Sequence, residues 1–137
     1  MQEKYGFKVL AVGGAKDVSL ADRITTGLQR GAINLAGKTS ISQLASLLKR
    51  CELFISNDSG PVHIASAVGT PVISIFGRLQ PGLSPRRWGP QGLKDIFIHK
   101  EVGCIECLAH NCKREFACLK AITVEDVLVA AASILES

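Results

Sequence analysis

The stretch Ser56–Gly77, SNDSGPVHIASAVGTPVISIFG, decides how the rest of the chain is read. It joins an apolar run before Asn57 to another at Pro71–Phe76. Asn57, Asp58, Ser59, Gly60 and Pro61 stand in a row between them, with His63 two residues later. A plain connection needs fewer turn formers. Pro61 suits the first turn of a helix, where its missing N–H costs nothing, and Gly60 lets a ligand approach the backbone. The run therefore reads as strand Leu53–Ser56, loop, helix Gly60–Val68 and strand Pro71–Phe76. At the carboxyl end of a parallel strand, a helix start with outward N–H groups suits a phosphate, and the macrodipole adds to the attraction. Each of these residues alone has an ordinary structural reading, Asp58 and Ser59 as caps and His63 as packing; together they point to binding.

Outward from this stretch, the pattern repeats. Tyr5–Gly13 reads as a strand closing on Gly13 and Gly14. Asp17 is a candidate N-cap for a helix from Val18 to about Arg30, with Ala21, Ile24 and Leu28 on one face. Ala32–Ala36 is a short strand. Ser40 and Gln43 form a capping-box pattern before a helix whose stripe is Ile41, Leu44, Ala45 and Leu48. Asp95–His99 is a fifth strand. Thr123 caps a last helix carrying Val124, Val127, Leu128, Ala131 and Leu135. Strict alternation of strand and helix predicts an α/β fold, a Rossmann-like parallel sheet flanked by helices. Residues 77–94 form a long irregular loop with three prolines and four glycines.

Composition narrows the class. The 137 residues fit one domain, and 47% hydrophobic with 20% charged residues suits a soluble globular chain. No apolar run approaches the ~20 residues of a membrane helix, and no secretory leader is expected at the N-terminus. The net charge of +4 comes without a basic stripe, so nucleic acid is not an expected partner. Arg78, Arg86, Arg87, Lys94 and Lys100 read as a solvated face or as a rim attractive to a phosphorylated ligand. There is no GxGxxG, no Walker A sequence and no GxSxG elbow, which sets aside a dehydrogenase, a P-loop ATPase and a serine hydrolase.

Five cysteines stand at 51, 104, 107, 112 and 118. Cys51 reads as a small buried residue. Cys104, Cys107, Cys112 and Cys118 have C-x2-C-x4-C-x5-C spacing, for which reduced structural thiols come first, a structural zinc second and disulfides last; spacing also admits an iron–sulfur cluster. Trp88, the single tryptophan, is expected to fold onto the core, with stacking on an adenine as the alternative.

FISNDSGPVHIASAVGTPVISIFG resembles the signature of family-nine glycosyltransferases, the ADP-heptose:lipopolysaccharide heptosyltransferases. Their pattern, (N/T)D(S/T)G..H.A.A...P....(F/Y)G, is present in every fixed element. VLAVGGAKD (9–17), NLAGKT (34–39) and the cysteine-bearing tail resemble the family's flanking segments in order. The resemblance implies the C-terminal, donor-binding half of a GT-B fold, with the acceptor domain and the first strand-helix unit outside these residues. It implies that Asp58 bonds the donor sugar, that Ser59 and Gly60 amides hold the diphosphate beside Asn57 and His63, and that Asp17 contacts the ribose. It further implies ADP-heptose as donor, a lipopolysaccharide core sugar as acceptor, no metal for transfer, and a cytoplasmic protein peripheral to the inner membrane face. On these terms the chain alone binds donor without turnover, and self-association is open to it. Another GT-B nucleotide-sugar enzyme (an epimerase, or a transferase with a different donor) and a non-catalytic binding or assembly module are the alternatives.

Overall fold

The computed structural model describes residues 2–28, 31–80, 82–104, 107 and 111–137. The chain divides into two compact units, residues 1–44 and 45–137, with the boundary inside a helix.

The first unit opens with α1 (Gln2–Tyr5), β1 (Leu10–Ala11) and a 3-10 turn at Ala15–Asp17. Helix α2 (Val18–Thr26) and β2 (Ile33–Asn34) follow. Strands β1 and β2 pair in parallel, Leu10 opposite Ile33 and Ala11 opposite Asn34. The expected strand at Tyr5–Gly13 is thus much shorter, and Tyr5 itself ends a helix. Gly6, at φ +69°, breaks that turn in a conformation glycine tolerates. Helix α2 stops at Thr26, where Gly27 N–H bonds back to Arg23 O. The expected helix end at Arg30 lies outside the described residues. Ala21 is buried, but Ile24 is half exposed, so the α2 stripe is narrower than its spacing predicts.

Helix α3 (Ile41–Leu48) begins at the expected capping box: Ser40 N–H donates to Gln43 Oε1 at 2.9 Å, and Gln43 N–H to Ser40 Oγ at 3.3 Å. Leu48 is buried, whereas Ile41, in the first turn, is exposed and leaves the stripe. The second unit continues with β3 (Phe54–Asn57), α4 (Gly60–Ala67), β4 (Val72–Ile75), α5 (Pro85–Trp88), β5 (Ile96–Ile98), α6 (Ala117–Lys120) and α7 (Val124–Leu135). Its sheet is parallel throughout, in the order β3-β4-β5, with Ile55 opposite Ile73 and Ile73 opposite Ile96. Residues 77–94 are less irregular than expected, since α5 interrupts them.

Side chains alternate across these strands. Leu53, Ile55, Ile73, Ile96 and Ile98 pack on Ala130, Ala131 and Ile134 of α7. The alternate residues Val72, Ser74 and Phe76 are fully buried on the other face of β4. Phe76 meets Phe97 edge-on, ring centres 6.4 Å apart. Thr123 caps α7 by accepting from Asp126 N–H, and Asp126 Oδ2 accepts from Thr123 N–H at 2.8 Å. Val124, just inside that cap, is exposed. The sheet therefore presents the carboxyl ends of β3 and β4 to the start of α4, as the Rossmann-like expectation requires.

Candidate functional site

Strand β3 ends at Asn57, and the chain is held there from β4: Asp58 N–H donates to Ile75 O at 3.0 Å. That bond extends the parallel ladder by one residue and fixes where the loop leaves the sheet. Ser59 takes the N-cap position of α4 in extended backbone (φ −156°, ψ 161°), but its side chain does not cap. Instead its Oγ lies 3.0 Å from Ser56 Oγ, a bond that draws the loop back over the end of β3. Ser56 Oγ also donates to Asn57 Oδ1 at 3.3 Å. The first amides of α4 therefore have no side-chain cap from Ser59.

Gly60 follows, with open space where a Cβ would stand. Its φ is not in the left-handed region, so neither strain nor crowding calls for glycine there. What glycine provides is bare backbone. Pro61 occupies the first turn, Val62 is buried and anchors the helix, and His63 points to solvent. Asp58 is exposed too. Among the described residues neither the Asp58 carboxylate nor the His63 imidazole has a hydrogen-bond or ion-pair partner. Asn57, Asp58, Ser59, Gly60 and His63 are thus brought together at the carboxyl edge of the sheet, with a carboxylate, an imidazole and a helix start facing outward.

Asp17 belongs to the first unit. It precedes α2 but does not cap it; Oδ2 accepts from Gly14 N–H at 2.8 Å and closes the 3-10 turn. A Cβ on Gly13 would come within 2.8 Å of Asp17 Cβ, so Gly13 is required for this closure.

Beside α4 runs a cleft that the sequence reading missed. It has a volume of about 460 Å3, and its lining includes His63 and Ser66 of α4 with Arg87, Trp88, Gly89 and Gly92. Trp88 does not fold onto the core: it is 45% exposed, and its indole N–H donates to Gly82 O at 2.9 Å. Asp95 braces two of the lining residues, Ser66 and Gly92. It accepts from Ser66 Oγ at 2.6 Å, Gly92 N–H at 2.6 Å and Val72 N–H at 2.9 Å.

All five cysteines are free thiols. Cys118 Sγ donates to Gly77 O at 3.3 Å, Phe116 N–H donates to Cys112 Sγ, and Cys107 N–H donates to Gln80 Oε1. Cys104 is exposed. Among the described residues no group of three or more His, Cys, Asp or Glu is placed to hold a metal ion. Partial burial, with Glu52 beside it, raises the Cys51 thiol pKa. No helix among the described residues is long and apolar enough to cross a membrane.

The sequence profile of glycosyltransferase family 9 (heptosyltransferase) matches residues 1–117. The chain belongs to this family. Lipooligosaccharide heptosyltransferase 2 of Haemophilus ducreyi is 38% identical over 86 residues, covering 58% of this chain and 25% of its own length. Lipopolysaccharide heptosyltransferase 3 of Escherichia coli is 34% identical over 97% of this chain and 38% of its own. Two solved structures superpose with TM-score 0.77 over 98% of this chain and 38% of theirs. They are the glycosyl transferase family 9 protein of Veillonella parvula, 28% identical, and the E. coli ADP-heptose LPS heptosyltransferase II, 26% identical. This family 9 chain thus spans between a quarter and two fifths of these relatives. The parallel α/β class expected from the sequence is the fold of that part.

Proposed function

We propose that residues 57–63 of this family 9 chain cradle the nucleotide-sugar donor of a heptosyltransferase, with ADP-heptose as donor and a lipopolysaccharide core sugar as acceptor. The Ser59 and Gly60 amides take the diphosphate, where the helix start favours negative charge. Asp58 accepts from donor-sugar hydroxyls, and His63 donates to a phosphate oxygen or hydroxyl. Asn57 orients the turn. Asp17 is a separate assignment in the first unit: its Oδ1 accepts from a ribose hydroxyl while Gly14 holds Oδ2. No metal is needed in this scheme, and the place of action is cytoplasmic. Transfer requires a general base at the acceptor hydroxyl. None of these residues is assigned that part, so the 137 residues on their own bind donor without turnover.

One observation carries the reading. Two polar side chains, Asp58 and His63, stand without partners among the described residues on either side of a bare Gly60. Neither side chain is used as a helix cap or as core packing, so both are open to a ligand's hydroxyl and phosphate groups. Titration with ADP-heptose and ADP, followed by backbone amide shifts, tests it. Saturable shifts centred on residues 57–63, lost in Asp58→Ala and His63→Ala, are expected. Shifts elsewhere, or none in folded protein, reject the cradle. A stronger response to uridine-diphosphate sugars rejects ADP-heptose alone.

A further inference from the structure

Helix α4 is secured from its far end. Its start carries no side-chain cap, and Val62 and Ala65, both buried, hold it to β3 and β4 through apolar contacts. Such contacts set how deep a helix sits, but they are non-directional and leave its rotation to be fixed elsewhere. A directional bond is made at Ser66, six residues after Gly60 and roughly 9 Å along the axis at about 1.5 Å per residue. Ser66 Oγ donates to Asp95 Oδ2 at 2.6 Å and accepts from Gln91 N–H at 3.4 Å. Asp95 Oδ2 also accepts from Gly92 N–H at 2.6 Å, and Oδ1 accepts from Val72 N–H at 2.9 Å. One carboxylate thus ties α4 to the first residue of β4 and to the segment before β5. The fit is close: a Cβ at Gly92 would come within 2.7 Å of Asp95 Oδ2.

Three donors converge here, and an ionised carboxylate accepts at both oxygens. Asparagine would turn its NH2 group toward Val72 N–H or toward Gly92 N–H, leaving one backbone donor unpaired. Hydrogen bonds to a carboxylate are also the shorter and stronger kind. His63 stands three residues before Ser66, so the two share a face of α4, and both line the cleft beside it. A helix held at Ser66 can leave its start uncapped and open to an anion. We propose that Asp95 is a positioning residue for the donor: through Ser66 it fixes the rotation of α4, and with it the direction of the Ser59 and Gly60 amides and of His63. Asp95 touches no ligand and acts only through the helix. This role rests on the donor reading of residues 57–63.

Four variants test it. Ser66→Ala removes only the bond from α4, Ser66→Thr restores a hydroxyl, and Asp95→Asn breaks the three-way junction. Thr123→Ala, at the cap of α7, lowers stability away from the loop and is the control. Each is titrated with ADP well below its melting temperature, and the amide resonances of residues 57–63 are followed. Ser66→Ala and Asp95→Asn should displace the ligand-free resonances of Ser59, Gly60 and His63. Both should also weaken ADP binding by about two- to thirtyfold, the range for residues coupled through a bonded network. Ser66→Thr should recover most of the affinity, and Thr123→Ala should lose none. Lowered melting temperatures with parent affinity for ADP would make the junction structural alone and overturn the proposal. So would a loss in Thr123→Ala equal to that in Ser66→Ala, or a threonine variant no better than alanine. If Asp95→Asn does not fold, the two Ser66 variants decide. A parent protein without an ADP response at residues 57–63 overturns the donor reading and the positioning role together. Parent binding that every variant keeps overturns the positioning role alone.

Discussion

At the scale of single residues, Gly60 separates a structural loop from a binding loop. Its φ is ordinary and nothing stands within 4 Å of an added Cβ. Gly60→Ala should therefore fold well, and the lost chain entropy of the unfolded state should stabilise it by about 0.4–1 kcal/mol. The same methyl would stand where the proposed diphosphate approaches, and ADP affinity should fall about tenfold, or 1.4 kcal/mol. Thermal melting and ADP titration of one sample check both halves; unchanged affinity would count against the cradle. Much of this residue-level picture was legible. The polar run 57–61 and His63 two residues later signalled an exposed strand-to-helix turn, and the structure places them there. Asp17 and Trp88 were not legible in the same way. Asp17 closes its own turn through Gly14, because a carboxylate three residues after an amide reaches it as readily as it caps a helix. Trp88 is turned outward by a bond to Gly82 O, a partner six residues away that apolarity alone does not announce.

At the scale of elements, the caps at Ser40 and Thr123 were readable, while the expected caps at Asp17 and Ser59 and the edges of the apolar stripes were not. Ser40 with Gln43 and Thr123 near Asp126 carry local information, and local bonds form at both. Ile41 and Val124 fall on the helical spacing, yet both are exposed. Each stands in the first turn, before its helix reaches the surface it covers. Asp95 marks the other limit: it reads as the start of a strand, yet it joins Ser66 of α4 and Val72 of β4, each more than twenty residues away, as well as nearby Gly92. The cap of α7 also makes a pH prediction. Hydrogen bonds to Lys100, then to Thr123, lower the Asp126 pKa to about 2. With the folded value below the unfolded one, near 3.8, the contribution is complete above about pH 4 and disappears as pH falls through about 2. Asp126→Asn should lower the urea midpoint at neutral pH and flatten its decline between about pH 4 and pH 2. A decline as steep as in the parent protein would remove Asp126 from the acid response.

At the scale of the whole molecule, the alternation of strand and helix was enough for the fold class, because each βα step carries its own periodicity. The division into two units was not readable, since it depends on how much apolar surface each part buries. In residues 1–44 only the small side chains Ala21 and Ala36 are buried among the described hydrophobic residues, and the paired strands are two residues each. In residues 45–137 the buried set includes Leu48, Val62, Val72, Ile73, Phe76 and Ile134, around a three-stranded sheet. At about 25 cal/mol per Å2 of apolar surface removed from water, alanines contribute far less than leucine, isoleucine and phenylalanine. Opening free energies follow that difference, since regions with few buried apolar side chains open locally before the global transition. Native-state hydrogen exchange should therefore show two classes. The amides of Ile33 and Leu35, bonded to Val9 O and Ala11 O, should exchange through sub-global opening, well ahead of those in β4 and of Phe76, which bonds to Ile98 O. Saturating ADP should slow exchange at Asp58, whose N–H bonds to Ile75 O, if the cradle holds donor. Uniform exchange across both units would mean that they open as one cooperative body, and the sparse core of the first would then have to be stabilised by something other than its own buried surface.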